Sequence, residues 1–398
     1  MPSIPSRQIF IALLAGSAAL VVVHSLGRFA YTPLLPLFLG DGLFSLQQGA
    51  QLATWNYIGY LLGALLAVAM ATPARMRVAL PTALLGNALL TLLQGLSEHY
   101  PSLAALRLLN GVSNGLVFVL APALVLEWLA QRQRAHLSGL VYLGFAIGLL
   151  LAGWLAELPA TLLHGAARWW PMAALALPLA LLSAWLLGRL HLAPRQISAS
   201  ATTSPLFDRA STPLFLAYAG AGLGYILPMT FLPTLAQEHL PADHSLISGA
   251  WRWTALACVV AVPLWNSLGA RIGDRHALLA NYLLQTVGCA APLLWPGATG
   301  VLLCAALVGG TFIGTVFLTQ RLARSLQPHQ GPKLSAALIA LYGGAQLLGP
   351  WLAGLWIGAG GTLTQSFALG VGALIWALAW TCTLPSSASH SSPAGASS

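Results

Sequence analysis

The chain has 398 residues, 58% of them hydrophobic and only 6% charged, with a formal net charge of +9. A water-soluble domain carries roughly 25% charged residues, so lipid must be the solvent for most of this sequence. The positive charge does not read as nucleic-acid binding, which needs basic groups clustered on a solvated face; here the one lysine is Lys333 and the arginines lie scattered between apolar runs.

A helix that crosses a bilayer needs about 20 mostly apolar residues. Twelve such runs follow one another, near 9–38, 46–71, 78–96, 103–128, 136–157, 170–188, 213–236, 246–269, 277–295, 299–320, 334–357 and 364–383. The first follows Arg7 but outruns a signal-peptide core and lacks a small-residue cleavage site, so it reads as a retained helix. Turn and polar residues separate the runs, as at Gly40-Asp41-Gly42 and Pro241-Ala242-Asp243-His244. The four cysteines, Cys258, Cys289, Cys304 and Cys382, sit inside apolar runs without ligand spacing. They read as small buried hydrophobes, and neither a metal nor a cofactor is expected.

One break is long. The Ser/Thr-rich stretch 191–212 reads as a cytoplasmic linker between two units, 1–190 and 213–384, with 385–398 as a disordered cytoplasmic tail. Six runs fall on each side. The cations test this count. With the N-terminus inside, Arg7, Arg75, Arg77, Arg132, Arg134, Arg189, Arg195, Arg209, Arg271, Arg275, Arg321, Arg324 and Lys333 all fall on the cytoplasmic side, and the outer loops hold only Arg168. A miscounted run would scramble that asymmetry, so both termini are expected inside. Trp128 and Trp380 at inner ends, and Trp169, Trp170 and Trp295 at outer ends, fit an interfacial belt.

The halves repeat each other. Leu26-Gly27 and Leu35-Pro36 bracket the same interval as Leu223-Gly224 and Leu232-Pro233; Gly49-Ala50 matches Gly249-Ala250, and Arg75 matches Arg275. Matches in order at nearly one offset indicate a duplicated six-helix unit. The expected fold class is therefore all-α: twelve transmembrane helices in two pseudo-symmetric six-helix bundles.

Motifs give this architecture a family. Arg107-x-x-x-Gly111-x-x-x-Gly115 resembles the fourth-helix signature of the major facilitator superfamily. Gly269-Ala270-Arg271-Ile272-Gly273-Asp274-Arg275 resembles its basic loop motif, with Ala270 where an acid is usual. Gly27-Arg28-Phe29-Ala30-Tyr31-Thr32-Pro33 through Pro36, with Gly224-Tyr225-Ile226 and Thr230-Phe231-Leu232-Pro233, is similar to the bacterial YbfB/YjiJ-type branch. The resemblance covers about 9–384. It implies the major facilitator fold, a bacterial inner-membrane location and a substrate site near the midplane between halves.

A charge at a helix centre costs about 2.5–3.5 kcal/mol on insertion scales. Three arginines, Arg28, Arg107 and Arg252, lie within runs, whereas the carboxylates lie in loops or at run ends. Surplus guanidinium groups favour an anionic substrate, which arginine grips with a two-pronged fork. His24, Arg28 and Tyr31, at i, i+4 and i+7, are expected on one helix face, and the prolines that follow should kink that helix. The alternative for Arg28 is a bond to backbone carbonyls or another helix. Asn110 and Asn114 share the Arg107 side and either hold substrate or join helices. Further cavity candidates are Gln51, Trp55, Asn56, Tyr142, Tyr225, Thr230, Trp251 and Gln346.

Coupling and gating are assigned to His24, Arg107, Glu127, Arg271, Asp274 and Arg275. His24 is the one mid-run group with an unperturbed pKa near neutrality, about 6.5. No Gly-x-x-x-x-Gly-Lys loop occurs, since Lys333 follows Pro332, so no ATP site of that type drives transport. The expectation is a monomeric secondary transporter of a small organic anion, proton-coupled and leaning to efflux. Uniport or exchange, and export of neutral sugars or drugs, are the nearer alternatives. A membrane-embedded enzyme or a transporter-like sensor is a distant one.

Overall fold

The computed structural model describes residues 6–158, 162–192, 207–327 and 331–385. Among these, twelve helices are long and apolar enough to cross a membrane. Spans 1 to 6 are Ser6–Gly40, Leu46–Met70, Pro73–Gln94, Tyr100–Ala130, Ala135–Ala156 and Gly165–Gly188. Spans 7 to 12 are Thr212–His239, Leu246–Ile272, Asp274–Leu294, Ala298–Leu326, Gly331–Gly358 and Leu363–Cys382. The expected number and order hold. Most of the expected linker, 193–206, and the tail beyond Pro385 lie outside the described residues.

Local sequence explains the ends. Ser45 and Gln48 form a reciprocal capping box at the start of span 2, and Thr362 and Gln365 repeat it at span 12. Within the first half, span 2 packs on span 4 and span 3 on span 6; within the second, span 7 packs on spans 11 and 12 and span 9 on span 12. The halves meet along spans 2 and 11 and along spans 5 and 8. In a six-helix repeat, span 8 is the counterpart of span 2 and span 11 that of span 5. The two seams are thus one contact made twice, as a pseudo-two-fold requires.

The glycines of the span 4 motif serve this packing. A side chain at Gly111 or Gly115 would strike the backbone of Asn56 or Tyr60, and one at Gly59 or Gly63 would strike Leu108 or Val112. Two small-xxx-small stripes therefore cross backbone to backbone.

Spans 5 and 6 open with a short 3-10 stretch, and two helices near the seam depart from regular pitch within their length. In span 1, Val21–Phe29 is a π-helix between α-helical stretches. Side chains of span 4 take carbonyls along it: Asn114 Nδ2 donates to Val23 O at 2.8 Å and Arg107 Nη1 to Gly27 O at 3.1 Å. Span 10 breaks between Gly309 and Phe312. Trp265 Nε1 donates to Gly310 O at 2.7 Å and Asn281 Nδ2 to Thr311 O at 3.0 Å. Freed carbonyls are tolerated at membrane depth when side chains satisfy them in this way.

Two expected belt tryptophans are corrected. Trp128 and Trp169 are buried, Trp128 under the Arg132 guanidinium at 3.8 Å and Trp169 against Tyr31. Each has a specific partner inside the fold, which outweighs its position at a helix end. Trp170 and Trp295 are exposed, as a belt residue should be.

Candidate functional site

The π-helix sets where the span 1 side chains point. It closes i to i+5 rather than i to i+4, so the α-helical spacing that aligned His24, Arg28 and Tyr31 no longer applies, and the expected shared wall is corrected for His24: Arg28 and Tyr31 line one cavity without it. His24 turns into the first half. Its ring stacks on Phe118 at 4.1 Å, packs near Phe145 and Phe29, and its Nδ1 pairs with Asn114 Oδ1 at 2.8 Å. Tyr31 turns toward the Glu157 end of the bundle and donates to Gly49 O at 2.8 Å. Arg28 points to the seam, where Tyr31 also lines the cavity, and of the three only His24 lies away from it.

There Arg28 is 3% exposed. Its guanidinium carbon lies 4.4 Å from the Tyr60 ring centre, 4.8 Å from Tyr57 and 5.2 Å from Phe29. Each such cation–π contact is worth about 0.5–2 kcal/mol. Nη2 donates to Gln346 Oε1 of span 11, in the other half. Nε and Nη1 are buried without a partner. Arg107 is buried beside it, 4.5 Å over the Tyr31 ring and 5.7 Å from Trp169. Its Nη1 reaches Gly27 O, and its Nε has no partner. Among the described residues, no carboxylate forms an ion pair with either arginine.

Both guanidiniums line one small cavity of about 20 Å³, room for a single water. Tyr31, Tyr57 and Ala53 wall it from the first half, Thr230 and Phe231 from the second. Tyr57 and Thr230 hydroxyls meet across it at 3.2 Å. The halves also touch beyond it in both directions. On one side Glu157 pairs with Arg252 at 3.0 Å and Phe29 stacks on Trp251; on the other Glu127 pairs with Arg324 at 3.5 Å and Tyr142 packs on Phe317. The site is closed from both ends.

Several expected candidates have other places. Arg252 is corrected: it is 40% exposed and tied to Glu157, a partner from the opposite half. Trp55 is 40% exposed, away from the cavity, and Gln51 is exposed and accepts from Tyr100 at 2.7 Å. Asn56 and Asn110 bond each other at 3.3 Å, Asn56 also holds Arg107 O, and Asn110 reaches Thr91. Asn114 is occupied by His24 and Val23 O. These amides bind helices to one another. Tyr225 stacks on Phe312 and Tyr342 inside the second half, and Trp251 is buried with its Nε1 unpartnered. Asp274 is held by Arg321 at 2.5 Å, Arg275 donates to Cys382 O at 2.7 Å, and Arg271 is exposed.

Tyr57, Tyr60 and Asn87 were not singled out in the sequence, and Trp169 was read only as a belt residue. Aromatic residues in an apolar run carry no signal that separates a cavity wall from a lipid-facing surface. Asn87 did carry one, a lone amide in an apolar run. It donates to Asn110 O at 3.1 Å and Ser113 Oγ at 2.8 Å. At the Glu157 end, Arg168 grips Asp41 with Nε at 2.5 Å and Nη2 at 2.9 Å, and Gly165 N donates at 2.8 Å. The Arg168 hydrogen bonds hold the Asp41 carboxyl below the usual carboxylate range, with help from Gly165.

Two pseudo-symmetric six-helix bundles closed over a buried seam site define a transporter of the major facilitator type. Residues 20–382 match the family described as "Uncharacterised MFS-type transporter YbfB", and the chain belongs to that family. Two uncharacterised MFS-type transporters of Mycobacterium tuberculosis, from strains CDC 1551 and H37Rv, are each 31% identical over 157 residues. That match takes in 37% of this chain and spans only 22% of the length of those relatives. The fold is similar to that of the human organic anion transporter MFSD10 (TETRAN), at 17% identity and a TM-score of 0.69, covering 96% of this chain and 100% of that one. It is also similar to the nucleoside transporter NupG, at 14% identity and 0.67, covering 93% and 99%. The family and these neighbours are transporters, not enzymes, which sets aside the membrane-enzyme alternative.

Proposed function

We propose that the protein carries a small organic anion across the bacterial inner membrane by alternating access, with the halves 1–190 and 213–384 rocking about the seam. One observation carries this reading: Arg28 and Arg107 bring buried, partly unpartnered guanidinium groups to one cavity with no carboxylate among the described residues to neutralise them. An incoming oxyanion supplies the missing charge and the missing acceptors. The placement of cations at the ends of the spans supports both termini on the cytoplasmic side. In this reading the carrier works as a monomer and in the efflux direction.

Proton coupling belongs to the same proposal, with His24 as the titrating group. Its ring is 5% exposed and lies on the helix that carries Arg28, so proton access follows opening of the halves. Purified protein in proteoliposomes, loaded in turn with carboxylates, phosphorylated metabolites, sugars, nucleosides and cationic drugs, tests the class by counterflow. Organic anions are expected to exchange, and Arg28→Ala to abolish the exchange while the protein remains folded in the bilayer. Undiminished exchange by Arg28→Ala, or exchange of neutral solutes only, overturns the reading. A pH gradient should drive uptake by the wild type but not by His24→Gln.

A further inference from the structure

Gln346 occupies the position that an anion would need. Among the described residues, the one acceptor that the Arg28 fork meets is the Oε1 of this neutral amide, and Gln346 is itself 1% exposed. Span 11 reaches the fork because Gly343, one turn earlier on the same face, lies flat against Tyr60. A Cβ there would sit 2.9 Å from the ring. The adjoining void has room for only about one water, too little for an oxyanion to bind Arg28 while the amide stays. An oxyanion adds the attraction of opposite charges and a two-pronged grip that a single amide oxygen cannot supply, so an oxyanion would win the exchange.

We propose that Gln346 is a built-in stand-in for the substrate: its amide oxygen holds Arg28 in the empty carrier, and the substrate's oxyanion must displace it. This rests on the anion-carrier reading above. Gln346 comes from the second half and Arg28 from the first, so displacement also releases a central tie between the halves, beside the Tyr57–Thr230 contact. Binding and unlocking become one event. The flat aromatic walls of Tyr57, Tyr60 and Phe29 around the fork favour a planar anion, an aromatic carboxylate or an aryl phosphate.

The test reads Arg28 directly. Full-length protein in nanodiscs is treated with phenylglyoxal, an arginine reagent, and the adduct at Arg28 is followed by peptide mass spectrometry. Buried, ion-paired Arg168 serves as the folding control. Gln346→Met keeps the volume and removes the acceptor; Gln346→Glu keeps the shape and adds charge. From the strength of a charged hydrogen bond, modification should speed up on the order of tenfold or more in Gln346→Met and slow below wild type in Gln346→Glu. Misfolding would instead speed both variants, at Arg168 as well. A rate within twofold of wild type in Gln346→Met, or no slowing in Gln346→Glu, overturns the inference.

Benzoate and phenyl phosphate are then added as protecting ligands, which separates carboxylate from phosphate chemistry. Half-protection of Arg28 is expected at about tenfold lower concentration in Gln346→Met than in wild type. Equal protection in both overturns the displacement and leaves the anion carrier standing. Protection by neither ligand in either protein overturns the anion reading itself, and the displacement with it.

Discussion

Glu157 of span 5 and Arg252 of span 8 meet across the seam at 3.0 Å, and at the opposite end of the bundle Glu127 of span 4 and Arg324 of span 10 meet at 3.5 Å. Each pair joins one half to the other, on opposite sides of Arg28. Opening one end must break one pair and leave the other intact. All four side chains are a quarter to two-fifths exposed, and solvent screening limits such a pair to about 0–1 kcal/mol. Glu157→Gln should therefore raise the population open at its own end by at most about fivefold, and Glu127→Gln should do the opposite. Spin-label distances across each end, measured by pulsed electron resonance, report both. Shifts in the same direction would show that neither pair acts as a latch.

The crossing of spans 2 and 4 predicts a sharper outcome. Gly59→Leu and Gly63→Leu each drive a side chain into the backbone of span 4. Overpacking in a close-packed core costs about 1–3 kcal/mol, and here the obstacle is main chain that cannot step aside. Both variants should lose most of the folded protein, read as the monodisperse peak in detergent gel filtration. Gly86→Leu, where nothing lies within 4 Å, should match wild type. A normal peak for Gly59→Leu would show that the two helices do not cross this closely.

These two cases mark what the sequence could reveal. The span count was legible because twelve apolar runs and one-sided cations are additive signals that small boundary errors do not erase. Arg28 was legible because a charge in an apolar run has few uses. The Gly111 and Gly115 stripe was legible through its spacing, but its partner stripe, Gly59 and Gly63, was not, because many glycines recur in these runs. Of the face expected to hold His24, Arg28 and Tyr31, only the last two line one cavity, since a π-helical turn changes which residues align and the expected spacing assumes α pitch throughout. Arg252 was misplaced because its partner, Glu157, lies 95 residues away in the other half, and no local pattern announces a pairing at that distance.

The Asp41–Arg168 grip should make stability depend on pH. The folded Asp41 carboxyl titrates below its usual range, chiefly through Arg168. Its contribution is therefore complete above the ordinary carboxylate pKa of about 4 and is lost as pH falls through the lowered folded value. Asp41 is only 10% exposed in the pair, so removing the charge should cost about 2 kcal/mol at neutral pH. Thermal unfolding of wild type and Asp41→Asn from pH 7 down to pH 3 checks this. The variant should melt lower at pH 7, and the gap should close toward pH 3. A gap that stays constant with pH would mean the carboxylate charge is not what joins the end of span 1 to the start of span 6.

Arg107 differs from Arg28 in what surrounds it, and the difference decides what its replacement should do. Its Nη1 holds Gly27 O in the π-helical segment while its flat face covers Tyr31 and approaches Trp169. It therefore supports the helix that aims Arg28 and also lines the same cavity. Lysine keeps the charge and can reach one carbonyl, but it lacks the planar fork that grips an anion from two sides. Arg107→Lys should stay folded, with transport of the anion found by counterflow reduced on the order of tenfold through loss of one charged hydrogen bond. Arg107→Gln removes the charge as well, and should lower both the melting temperature and transport. If Arg107→Lys transports at the wild-type rate, charge near Gly27 is all that the carrier needs from this position, and Arg28 receives the anion alone.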